Sequence, residues 1–210
     1  MCGILALIPP SAAIGSGATD AIRDTLLHRG PDAGVTWIHP RGRLALAHRR
    51  LSIIDISHEA DQPMVSADGS LRIVFNGEIY NYRELRSELV AGGATFRTRS
   101  HTEVLLEGFA AWGDKVLNRI NGMFAFAIWD EQRKQLFVAR DRFGEKPLFV
   151  GRGPDGLLLV ASEMKAILAH PSMRVSASSE AARLIQGGFK KGGGPVSSSK
   201  PYGDRRWLSA

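Results

Sequence analysis

Hydrophobic positions in this chain fall into short runs of two periods. Residues 2–8 are continuously apolar from Cys2 to Ile8 and stop at Pro9-Pro10, which predicts a short buried strand. Pro9 to Gly17 reads as a loop. Thr19 to Leu27 carries Ile22, Leu26 and Leu27 at helical spacing and ends at a turn, His28-Arg29-Gly30-Pro31-Asp32. Leu44 to Ile56 holds leucine and β-branched residues around His48-Arg49-Arg50 and predicts two strand pieces. Leu71 to Phe75 predicts a strand that enters Asn76-Gly77-Glu78, where the glycine permits a tight turn. Asn81, with Glu84 three residues on, predicts an N-cap and capping box for a helix running to about Val90. Gly92-Gly93 stops that helix.

A second helix is predicted from about Thr102, with Val104, Leu105, Phe109 and Trp112 on its apolar side. Met123–Trp129 and Leu136–Arg140 predict a hairpin joined by the polar turn Asp130 to Lys134. Leu157–Ala161 predicts another strand and Glu163–Leu168 a short helix. Hairpin-linked strands with helices between them imply an α+β arrangement of antiparallel sheets layered with helices. No repeat occurs at any period.

The pattern changes near Ser176. Gly187-Gly188, Gly192 to Gly194 and Ser197 to Ser199 leave little to bury, so residues 176–210 are expected to form an unstructured basic tail. Trp207 and Leu208 could dock locally. The body, residues 2–175, suits one domain. Hydrophobic residues make up 44% and charged ones 23%, a balance that excludes a disordered or fibrous chain. Of the formal net charge of +6, +4 lies after residue 179, so the body is nearly balanced and a nucleic-acid-binding surface is not expected. The apolar start lacks a basic leader and breaks at Pro9-Pro10, which argues against a signal peptide. No apolar run approaches the roughly 20 residues that span a bilayer, so no membrane partner is expected. The single cysteine excludes an internal disulfide, which fits a reducing, cytoplasmic compartment.

That cysteine is Cys2, directly after the initiator. Cleavage after Met1 would leave a thiol and a free α-amine on one residue, with reference pKa values of about 8.5 and roughly 7.7–8.0. A terminal amine can take the nucleophile's proton. Taken alone, Cys2 reads first as an incidental small apolar residue. No Cys/His cluster has metal-ligand spacing.

Seven blocks occur in order along the chain. They are Cys2-Gly3-Ile4, His28 to Asp32, Ala47 to Asp55, Phe75 to Asn81, Gly122 to Ala127, Arg140 to Gly144 and Ala161 to Lys165. Together they resemble the N-terminal glutaminase domain of glutamine-dependent asparagine synthetases, a class II glutamine amidotransferase of the N-terminal-nucleophile hydrolase superfamily. The resemblance implies a four-layered α/β/β/α sandwich and L-glutamine as substrate. It implies Cys2 as the nucleophile that forms a γ-glutamyl thioester, and Asn76 with the Gly77 N–H as oxyanion hole. Arg50 would hold the substrate α-carboxylate, the backbone of Leu51, Ser52, Ile53 and Ile54 would line the pocket, and Glu78 would accept from the α-ammonium group. Each residue has a plainer reading. Asn76-Gly77 is a hairpin signal, Arg50 and Arg49 fit a strand surface, Glu78 fits a turn cap, and His28 and His48 fit structural roles.

Two departures stand out. In the family an Asp usually precedes the second helix as a further ammonium anchor, and His101 stands there in Ser100-His101-Thr102-Glu103-Val104. Weakened glutamine binding is therefore expected. No Ser-Gly-Gly-x-Asp-Ser pyrophosphate loop follows, so no cofactor is expected in this chain, and ATP and Mg2+ belong to the missing synthetase domain. A truncated or frameshifted gene, or a free-standing glutaminase, would account for that. A synthetase domain or a second copy of the chain is the expected protein partner. The rival expectation is a non-catalytic relic or interaction module.

Overall fold

A computed structural model of the chain describes residues 1–9, 15–51, 60–174 and 205–209. The predicted second strand piece within 44–56, the three pocket candidates Ser52, Ile53 and Ile54, and most of the tail lie outside the described residues.

Two five-stranded antiparallel sheets form the centre. In the first, β1 (Gly3–Ile8) lies between β3 (Ala45–Arg50) and β9 (Leu158–Ala161), with β2 (Ala33–Ile38) and β8 (Phe149–Arg152) at the edges. In the second, β5 (Leu71–Ile79), β6 (Gly122–Asp130) and β7 (Gln135–Arg140) are flanked by β4 (Met64–Val65) and β10 (Arg205–Ser209). The helices are α1 (Ser16–Asp24), α2 (Tyr82–Ala91), α3 (His101–Trp112) and α4 (Met164–Leu168).

Strand alternation sets the layers. Ile4, Ala6 and Ile8 of β1 meet Val74, Ala125, Ala127 and Trp129 of the other sheet. The intervening Leu5 and Leu7 pack on Ile22 and Leu26 near α1 and on Ala166 and Ile167 of α4. Across the molecule, Ile73, Phe75, Phe126 and Ile128 pack on Leu85, Leu89, Leu105 and Phe109 of α2 and α3. Both sheets are thus covered on both faces, which explains the continuous apolar run of β1 and gives the expected α/β/β/α order.

Several local expectations are corrected. Asn76-Gly77 is no turn: β5 runs through it to Ile79, paired with β6 as Asn76↔Ala125 and Gly77↔Phe124. The glycine serves close approach, since a Cβ there would lie 2.4 Å from the Met123 carbonyl oxygen. Asn81 precedes α2 as expected, but its side chain makes no cap. It bonds the Arg119 carbonyl and the Asn121 N–H, each at 2.9 Å, across the neighbouring loop. Helix α1 begins at Ser16, inside the predicted loop. At the end of the tail, residues 205–209 pair with β7 as β10, with Trp207 opposite Phe137.

Candidate active site

Cys2 precedes the central strand of the first sheet. The register pairs Gly3 with Arg49 and Ile4 with His48. Because Leu44 and Leu46 face the other sheet, alternation sends His48 and Arg50 the same way and Arg49 to the opposite face. Arg49 is therefore not a surface residue. It is buried, donates to the Gly30 carbonyl at 3.0 Å and reaches Asp24 at 3.4 Å. On β5, Val74 faces the first sheet, and Asn76 and Glu78 continue that face. At one end of the inter-sheet space these residues share a cavity of about 280 Å³ with Cys2.

Within it the Cys2 thiol lies 3.7 Å from the Leu51 carbonyl. Burial pushes the thiol up from its ordinary value, opposed by the Leu51 contact, the chain's N-terminal charge, Arg50 and Arg29. Asn76 is 2% exposed, and its Nδ2 has no hydrogen-bond partner. A buried unsatisfied donor is costly unless a ligand uses it. Arg50 is ion-paired to Asp61. Glu78 Oε2 stands 2.9 Å from His101 Nδ1, which also lies 3.2 Å from the Ile79 N–H. One nitrogen cannot donate to a carboxylate and accept from an amide together, and the shorter, charge-assisted contact to Glu78 is the stronger. Burial lowers the His101 pKa against the opposing pull of Glu78. Tyr82 packs on the ring at 4.2 Å, and Nε2 is buried without a partner.

Cys2, Arg50, Leu51, Asn76, Gly77, Glu78 and His101, seven of the residues expected from sequence, line this one cavity.

Three of the remaining blocks support Cys2 and the cavity around it. Arg29 Nε donates to the Cys2 carbonyl at 3.0 Å, while its Nη1 pairs with Glu163 at 3.0 Å. His28 reaches the same carboxylate at 2.8 Å and Lys165 at 3.1 Å, and against the opposing effect of burial these three partners depress the Glu163 pKa to about 2. Ser162 Oγ accepts from the Ile4 N–H, and the Ser162 N–H donates to the Ile4 carbonyl, both at 3.0 Å. Asp141 accepts from the backbone N–H groups of Phe143, Glu145 and Lys146, shaping a loop that brings Lys146 into the cavity.

Sequence reasoning missed Gln62, Thr102 and Lys146 in the lining. Gln62 donates to Thr102 Oγ1 at 3.0 Å and accepts from the Phe75 N–H at 2.6 Å, tying α3 to β5 behind Asn76. Nothing in the chain's periodicity distinguishes these three. Among the described residues, no group of three His, Cys, Asp or Glu side chains could hold a metal ion.

A family model described as a glutamine amidotransferase domain matches residues 1–189. The chain is 43% identical over 157 residues to asparagine synthetase [glutamine-hydrolyzing] 3 of Bacillus subtilis, covering 74% of this chain and 25% of that protein. It is 38% identical over 214 residues to asparagine synthetase [glutamine-hydrolyzing] 2 of Oryza sativa subsp. japonica, covering all of this chain and 32% of that one. The chain thus spans about a quarter to a third of these curated relatives. Among solved structures, the glutamine phosphoribosylpyrophosphate amidotransferase of B. subtilis superposes with a TM-score of 0.68 at 25% identity, covering 83% of this chain and 44% of that one.

Proposed function

Because the chain belongs to the glutamine amidotransferase domain family, we propose that it hydrolyses glutamine to glutamate and ammonia through Cys2. The observation that carries this reading is the convergence of the Cys2 thiol and the unpartnered Nδ2 of Asn76 on one small cavity. Its volume suits an amino acid better than a nucleotide.

Met1 is 58% exposed, open to removal. Its loss frees the Cys2 α-amine. Burial keeps the thiol protonated near neutral pH, so the adjacent amine serves as the base. The sulfur attacks the side-chain carboxamide carbon, and the C=O electron pair moves onto oxygen. Asn76 Nδ2 and the Gly77 N–H receive that charge, fixed donors worth about 3–4 kcal/mol of barrier each. The protonated amine then delivers its proton to the leaving nitrogen, ammonia departs, and water cleaves the γ-glutamyl thioester. Arg50 binds the substrate α-carboxylate and Glu78, backed by His101, the α-ammonium group.

The named relatives are glutamine-hydrolysing asparagine synthetases. By that likeness the ammonia serves an ATP-dependent synthetase domain that converts aspartate to asparagine in the cytoplasm. No helix among the described residues is long and apolar enough to cross a membrane.

The test is glutamate release by purified wild-type chain and by Cys2→Ala. Loss of turnover with an unchanged melting temperature is expected, and retained turnover in Cys2→Ala would reject this mechanism.

A further inference from the structure

His48 is 1% exposed, faces the inter-sheet space and lines the cavity, yet the mechanism above does not use it. Its tautomer follows from its partners. The Phe75 backbone raises the ring's pKa, the effect of a carbonyl oxygen facing a ring N–H. The Phe75 N–H is in any case occupied by Gln62 Oε1. Nε2 has no partner, so Nδ1 is the donor. Nε2 is therefore a bare lone pair, buried in the cavity wall. Desolvation lowers the ring pKa to about 3, so the imidazole remains neutral at any working pH.

The strand positions give the cavity two levels. Arg50 and Glu78, one from each sheet, form one level. Two residues along each strand, His48 and Asn76 form the next. If Arg50 and Glu78 hold the amino-acid end of glutamine, the side-chain carboxamide extends toward the second level. That level offers one unsatisfied donor, Asn76 Nδ2, and one unsatisfied acceptor, His48 Nε2. A carboxamide carries the complementary pair: a carbonyl oxygen to accept and an NH2 to donate. A carboxylate carries acceptors alone and would set a charged oxygen against the Nε2 lone pair.

We propose that His48 is the specificity-determining residue that separates glutamine from glutamate, its Nε2 accepting a hydrogen bond from the substrate amide N–H. This rests on the reading of the cavity as a glutamine site. A buried acceptor left without its donor discriminates by roughly ten- to a hundredfold. The same contact would hasten glutamate release after the thioester is cleaved.

The test measures glutamine and glutamate dissociation constants by calorimetry in a Cys2→Ala background, where no chemistry intervenes. His48→Asn retains an N–H for the Phe75 carbonyl but removes the acceptor at the Nε2 position. His48→Gln carries a carbonyl oxygen out to that position. Glutamine should bind His48→Asn roughly ten- to a hundredfold more weakly, with glutamate unchanged or tighter, and His48→Gln should retain the preference. A preserved preference in folded His48→Asn, equal weakening of both ligands, or a preference lost in folded His48→Gln would overturn the proposal. Failure of glutamine to bind the chain with His48 intact would instead overturn the glutamine site itself.

Discussion

Gly77→Ala tests the oxyanion assignment through backbone geometry alone. Gly77 lies in regular strand, with no positive φ to strain. The added methyl would lie 2.4 Å from the Met123 carbonyl oxygen and 2.7 Å from the Phe124 Cα, about 1 Å inside ordinary contact at 3.4 Å. Both neighbours are backbone of β6, so neither can swing aside and the two strands must part. Overpacking of this kind costs about 1–3 kcal/mol, which in a chain of this size lowers the melting temperature by roughly 2–4 °C per kcal/mol. The catalytic effect should be larger. The Gly77 N–H and Asn76 both ride on the displaced strand, and a misplacement of about 1 Å at reacting groups costs on the order of 10²-fold in rate. The assay is steady-state glutamate release with a parallel thermal melt. The kcat should fall about a hundredfold, with a smaller change in KM because Arg50 sits on the other sheet and Glu78, although on the displaced strand, is also held by His101 of α3. Gly17→Ala, at an open position in α1, is the control and should be neutral or slightly stabilising. A Gly77→Ala chain that melts lower yet keeps full kcat would refute the placement of the oxyanion at this strand.

His101→Asp should lower the KM for glutamine by roughly ten- to a hundredfold, with a smaller change in kcat, because a second carboxylate would join Glu78 at the ammonium group. An unchanged KM in a folded variant would show that His101 does not face that group. The chain alone, given ATP, Mg2+, aspartate and ammonia, should form no asparagine, and product detected by chromatography would mean that residues 176–210 have been misread. Glu163, with its pKa depressed to about 2 from 4.5, binds fewer protons folded than unfolded between those values. Its stabilisation is complete above pH 4.5 and is lost as pH falls from there toward 2. The difference in unfolding free energy between wild type and Glu163→Gln should shrink over that window, and a pH-independent difference would count against the Arg29–Glu163–His28 brace.

Where burial imposed a period, the elements were legible. β1 and the β6–β7 hairpin carry near-continuous apolar runs in the sequence because both their faces are covered, and α3 carries one apolar face because it packs on the second sheet. The edge strands β2 and β8 were missed. Their exposed positions, such as Val35 and Val150, impose no pattern, and each carries a glycine. Asn76-Gly77 misled in the opposite direction, since the dipeptide that favours a turn was placed mid-strand by the close approach of β6. The cavity candidates came from the order of the seven blocks, and no period in the chain marks them. Lys146 gave no signal because its position depends on the Asp141 loop, and His48 was read as structural because a buried histidine usually is. Its unpaired Nε2 becomes visible only when the Phe75 carbonyl and Gln62 are in place.

The account turns on a covalent intermediate at an N-terminal cysteine. Its most direct test is intact-protein and peptide mass spectrometry of the chain quenched during glutamine turnover. The account predicts that Met1 is absent and that a γ-glutamyl group is attached to Cys2. Glutamate released by a chain that retains Met1, or an acyl group found at any residue other than Cys2, would contradict it.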